Sequence, residues 1–135
     1  MPTMHYGVDQ SNSGLYSSAS DIGQWIRFLL GSSMGNDEAD RWPVIKNLSE
    51  TTTPQAVIRR RGSRNQPDVQ AYGLGWKIWS RNGSRWVYHA GGGPGYTSQM
   101  VLLPDNGTGV AVLTNSAMNP APDLICTWVI DRYLV

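Results

Sequence analysis

The chemistry in this sequence is concentrated in one short stretch, His89-Ala90-Gly91-Gly92-Gly93-Pro94-Gly95. A histidine closes an apolar run, and four glycines follow within the next six residues. Glycines let a backbone take positive φ and come close to another molecule. N–H groups freed by such a bend can face an oxyanion. A phosphate loop does not fit, because no Gly-Lys-Ser/Thr follows and the glycines lead into a strand rather than a helix. His5, His89 and Cys126 are too few and too scattered for a zinc site, and a lone cysteine excludes an internal disulfide. No cofactor is implied. Gly31-Ser32-Ser33-Met34-Gly35 matches Gly-x-Ser-x-Gly in letters only, since it follows a helix where a nucleophile elbow needs a strand. A triad of Ser98, His89 and Asp105 can be drawn, with Ser98 and His89 on neighbouring strands, but no spacing enforces it. Cys126, beside Ile125, reads as a small buried thiol.

Some element has to carry that stretch, and the composition bounds which. A chain of 135 residues is one domain's worth and can bury a core. Charged residues are 16% of the total and the formal net charge is +1, which argues against disorder and against nucleic acid or an anionic membrane as partner. No apolar run approaches the roughly 18 residues of a membrane span, and the first residues carry no signal-peptide pattern, so a soluble chain of unknown location is expected.

Residues 1–16 read as an irregular arm and 17–135 as a single domain. Ser18 with Asp21 three residues later forms a capping pair. Ile22, Trp25, Ile26 and Leu29 then share one helix face, and Gly31 closes the helix. A weaker helix is expected over Pro43–Leu48. Residues 51–70, with Pro54, Arg59-Arg60-Arg61, Gly62 and Pro67, read as a long solvated connection.

Strand punctuation begins at Ala71. One strand is expected over Ala71–Arg81, and Asn82-Gly83 is the strongest two-residue hairpin signal. That loop sets Arg81 opposite Ser84, Trp79 opposite Trp86 and, by continuation, Trp76 opposite His89. Further strands follow at Tyr96–Leu103 and Gly109–Thr114, joined by a turn at Pro104-Asp105-Asn106-Gly107. Both are apolar on both faces, as strands covered on two sides are. A last helix after Asn119 carries Pro120 and Pro122 in its first turn, with Leu124, Ile125, Trp128 and Val129 as the expected buried stripe. The fold class is therefore α/β of the α+β type: an antiparallel sheet of about four strands with an N-terminal and a C-terminal helix packed on it.

Five short motifs fall in one order: Ser17-Ser18-Ala19-Ser20-Asp21-Ile22, Tyr72-Gly73-Leu74-Gly75-Trp76, His89-Ala90-Gly91-Gly92-Gly93-Pro94-Gly95-Tyr96, Leu103-Pro104-Asp105 and Val112-Leu113-Thr114-Asn115. Together they resemble the C-terminal third of class C β-lactamase-type serine hydrolases, a group that includes D-Ala-D-Ala carboxypeptidases and esterases. The resemblance implies a partial β-lactamase-like fold. It implies that His89-Ala90-Gly91 is the third active-site box, with His89 orienting groups around the substrate, Gly92 offering an oxyanion N–H and Gly91 keeping the strand bare. Trp76, Gly93 and Tyr96 would line the substrate.

The family's other two boxes are missing from these residues. The positions three before Lys46 and Lys77 are Pro43 and Leu74, so there is no Ser-x-x-Lys, and no tyrosine has asparagine two residues later. A hydrolase fragment without turnover is the first expectation. A binding module that keeps the old cleft for a peptide, acyl or carboxylate ligand is the second, and an esterase using Ser33 or Ser98 is the third. Self-association, or pairing with a complementary N-terminal hydrolase fragment, would cover the strand edge and apolar surface that a partial fold exposes.

Overall fold

The structure is a computed structural model, and it describes residues 14–31, 48–63, 66–81 and 83–133. Six strands form one antiparallel meander in chain order: β1 (Ala56–Ser63), β2 (Gln66–Tyr72), β3 (Lys77–Arg81), β4 (Ser84–Gly93), β5 (Tyr96–Leu103) and β6 (Thr108–Thr114). Helix α1 (Ala19–Leu29) precedes the sheet, a short α2 (Leu48–Thr51) leads into it, and α3 (Ala121–Tyr133) follows it.

Helix α1 starts where its cap requires. The Ser18 hydroxyl accepts from the Asp21 N–H at 3.1 Å and donates to the Asp21 carboxylate at 2.8 Å. Those two bonds satisfy one orphan donor and place a negative charge at the positive helix end. Gly31, at φ +70°, takes the left-handed conformation that ends the helix.

The alternation along β4 and β5 assigns the two faces. Val87 and Leu102 pack with Ile26 of α1, Ala71, Trp76 and Ile78. Trp86, Val101 and Leu103 pack with Cys126 and Ile130 of α3 on the opposite face. Each helix thus covers one side of the sheet. Of the four residues expected to face inward on α1, Ile26 is buried and Ile22 and Leu29 are partly buried. Trp25 instead stays 43% exposed and stacks on Phe28, ring centroids 5.3 Å apart.

The Asn82-Gly83 hairpin has the expected register, with Arg81 opposite Ser84 and Trp79 opposite Trp86. The two indoles meet edge to face at 5.9 Å. Arg81 lies over both rings and reaches Asp131 of α3 at 2.9 Å, which ties the hairpin to the last helix.

Three expectations are corrected. Residues 51–70 are not a solvated loop, because β1 and most of β2 lie there and pair from Ala56↔Tyr72 to Ser63↔Gln66. The span Ala71–Arg81 is not one strand but the end of β2, a turn over residues 73–76, and β3. The inner stripe of α3 is Pro122, Cys126 and Ile130, whereas Leu124, Ile125 and Trp128 are exposed at 62%, 43% and 59%. The helix carries apolar residues on both sides, and the stripe with the small Cys126 side chain is the one laid on the sheet. The helix expected over Pro43–Leu48 lies outside the described residues up to Asn47, and so do most of the 1–16 arm and Ser32–Gly35. No helix among the described residues is long and apolar enough to cross a membrane.

Cys126 has no exposed surface, and its thiol lies 3.8 Å from the Gln99 carbonyl. Burial, reinforced by the Asp123 charge and only partly offset by a backbone hydrogen bond at Val112, pushes it up from the usual 9.0 to about 11. The folded state then holds a proton that the unfolded chain releases between pH 9 and 11. Stability is untouched below that window and falls as pH rises through it. Iodoacetamide at neutral pH is expected to leave Cys126 unmodified in the native chain and to alkylate it fully in denaturant. Rapid alkylation of the native chain would contradict this placement.

Candidate active-site wall

The β3–β4 ladder ends at Lys77↔Tyr88. The β4–β5 ladder continues five residues further, from His89↔Met100 to Gly93↔Tyr96. Residues 89–93 are therefore paired on one side only, and no described strand pairs with their other side. The bare edge starts at the histidine and runs through three consecutive glycines. Gly95, at φ +84°, closes the two-residue turn that follows Gly93.

Val87, His89 and Gly91 point to the α1 face by alternation. Beside them a cavity of about 190 Å³ is bounded by Ile22, His89, Gly91, Ser98, Met100 and Leu113. Gly91 is opposite Ser98, and a Cβ on Gly91 would stand 2.5 Å from the Ser98 hydroxyl. At Gly92 a Cβ would meet nothing within 4 Å, so open space lies beside it. Tyr96 is 37% exposed at the far end of the edge.

Not every expected site residue comes to this edge. Trp76 does not reach His89, because the ladder stops one position earlier. It is 8% exposed and belongs to the core with Ile26 and Ile78. The Ser98–His89–Asp105 triad does not form. Ser98 is opposite Gly91, His89 is opposite Met100, and Asp105 sits beyond the other end of β5, where its carboxylate accepts from the Arg85 N–H at 3.4 Å.

The partner that His89 does have is Tyr72. Its hydroxyl lies 3.1 Å from His89 Nε2, with the rings edge to face. Reading Ala71–Arg81 as one strand hid this contact. The glycines at Gly73 and Gly75 are the signal that would have shown it, since they end β2 at Tyr72 and turn the chain into β3.

The antiparallel sheet thus carries one helix on each face, and its glycine-rich inner strand β4 has a bare far end. The family model described as Beta-lactamase matches residues 2–134, and the chain belongs to that family. Protein flp of Staphylococcus aureus (strain NCTC 8325 / PS 47) is 25% identical over 122 residues, which are 87% of this chain and 20% of that protein. Protein flp of strain COL gives the same figures. The chain thus spans about one fifth of the length of these curated relatives. Among solved structures, a class C beta lactamase from Rhodobacter sphaeroides superposes with a TM-score of 0.72 at 14% identity, covering 100% of this chain and 43% of that one. A second class C beta-lactamase gives 0.64 at 14% identity over 90% of this chain and 37% of its own. At such identity the superpositions speak for the fold.

Proposed function

We propose that this chain forms the third-box wall of a β-lactamase-type cleft, and that by itself it binds ligand without turning it over. The bare edge of β4 over residues 89–93 carries the reading. An extended acyl or peptide ligand can add to such an edge through main-chain hydrogen bonds. Gly91 and Gly92 present no side chain to obstruct it. The Gly92 N–H is the candidate oxyanion donor, and His89 orients the ligand's carbonyl or carboxylate. Turnover by the family mechanism needs a hydroxyl activated by a neighbouring base, and these 135 residues contain neither Ser-x-x-Lys nor Tyr-x-Asn. Titration calorimetry with an N-acylated D-Ala-D-Ala peptide and with a short-chain ester is expected to show weak saturable binding to one of them. An absence of heat with both would remove the support for a ligand-binding edge.

The same reading gives the chain a protein partner. The outer side of α3 leaves Leu124, Ile125 and Trp128 exposed, and no described strand pairs with the outer edge of β6. Both are surfaces that a second copy, or a chain carrying an N-terminal hydrolase part, would cover. Sedimentation velocity of the chain alone is expected to show a dimer or larger species. A single monomer at all concentrations would overturn self-association.

A further inference from the structure

We propose that Tyr72 is a positioning residue for His89: its phenol O–H donates to Nε2 of the neutral imidazole and so holds the ring proton on Nδ1. The two residues are 17 apart in sequence and two strands apart in the sheet, at the level where the β2–β3 and β3–β4 ladders both stop while β4 runs on. Tyr72 pairs with Lys77, Lys77 pairs with Tyr88, and His89 is the next residue along. The main chain around the phenol is pinned. The Tyr72 carbonyl accepts from the Gln55 N–H at 2.8 Å, and the Gly73 N–H donates to the Trp76 carbonyl at 2.8 Å. On the other side, His89 is held in register with Met100.

The geometry suits a bond to a ring nitrogen. Hydroxyl oxygen and Nε2 are 3.1 Å apart, and the ring planes cross at 77°. A nitrogen lone pair lies in the plane of its imidazole, so the partner must come to the ring edge. A neutral imidazole carries one N–H and one acceptor nitrogen, and the hydrogen bond made by one nitrogen decides which form is present. Two directions are open: Tyr72 O–H to Nε2, or Nε2–H to the phenol oxygen. A phenol is the better donor of the two groups, and an imidazole nitrogen is the better acceptor. The first direction wins, and the ring proton stays on Nδ1.

This changes what a ligand meets at the bare edge. With Nε2 occupied, the nitrogen left for a ligand is Nδ1, as a donor. Such a nitrogen suits the oxygen of a carbonyl or carboxylate and not an amine. That consequence rests on the cleft reading proposed above, whereas the tautomer itself does not.

Long-range proton–nitrogen correlation spectra of the labelled full chain report the tautomer directly. They are recorded at about pH 8.5, well above the usual imidazole pKa of about 6.5, and a His5→Gln variant assigns the His89 signals. The expected native pattern has a protonated Nδ1 and an unprotonated Nε2. Tyr72→Phe is expected to shift the pattern towards Nε2–H or to average it, with the amide spectrum of β5 and β6 unchanged. A native Nε2–H form, or a pattern indifferent to Tyr72→Phe, would overturn the assignment. Should the variant not fold, the native spectrum alone decides. No ligand is present in this experiment, so a failure of ligand binding and a wrong tautomer are separate results.

Discussion

Trp86→Ala is expected to lower the free energy of unfolding by about 3–5 kcal/mol. Trp86 is 4% exposed and packs in one cluster with Val101, Leu103, Cys126 and Ile130. Its truncation removes the largest buried side chain of that face and leaves a hole between β4 and α3. It also removes the edge-to-face contact with Trp79 at 5.9 Å and the ring beneath Arg81 at 5.1 Å. Neighbours cannot easily close the gap, because Leu103 and Ile130 of the same cluster are already fully buried. Domains are stable by about 5–15 kcal/mol in total, so this one change takes a large share. Equilibrium denaturation in urea measures it through the midpoint. A loss below about 1 kcal/mol would mean that α3 is not held by this face of the sheet.

Gly73→Ala is expected to cost about 1–3 kcal/mol or more, although it adds a single methyl group. A Cβ at Gly73 would press into the Thr51 carbonyl oxygen, 3.0 Å from the Thr53 carbonyl and 3.2 Å from Ile78 Cδ1. The nearest two obstacles are main-chain atoms and cannot rotate away. The Thr51 carbonyl is also engaged, accepting from the Leu74 N–H at 2.8 Å. The end of α2 and the turn over residues 73–76 would have to separate, and Tyr72, one residue away, would lose its fixed position beside His89. Gly92→Ala is the matched control, since its methyl meets open space and its φ is not positive. It is expected to change stability by less than about 0.5 kcal/mol. Equal losses at the two positions would contradict the close approach at Gly73.

Much of this architecture was legible in local chemistry. The Ser18–Asp21 cap, Gly31, the Asn82-Gly83 turn and the apolar faces of β5 and β6 each fix an element through a short-range rule. The Trp79–Trp86 pairing followed from loop length alone. What escaped was set by tertiary context. An arginine triplet reads as solvated unless it is known that its strand lies at the rim of a sheet. The two apolar stripes of α3 are equivalent on a helical wheel, and only the sheet selects the one containing Cys126. Trp76 looked like a cleft residue because its motif resembles the family's, yet its indole faces α1. The His89-Ala90-Gly91 stretch stood out in sequence, but the Tyr72 contact did not, because it depends on where the β2–β3 and β3–β4 ladders stop.

The central claim is that this chain holds the wall of the cleft without the nucleophile. Intact-mass spectrometry after exposure to a fluorophosphonate and, separately, to a penicillin tests it most directly. The account predicts an unchanged mass with both reagents. A single stoichiometric adduct mapped to one serine, with Ser98 beside the Gly91 edge and Ser33 the first to inspect, would contradict it and would show a working acyl-transfer site built around His89.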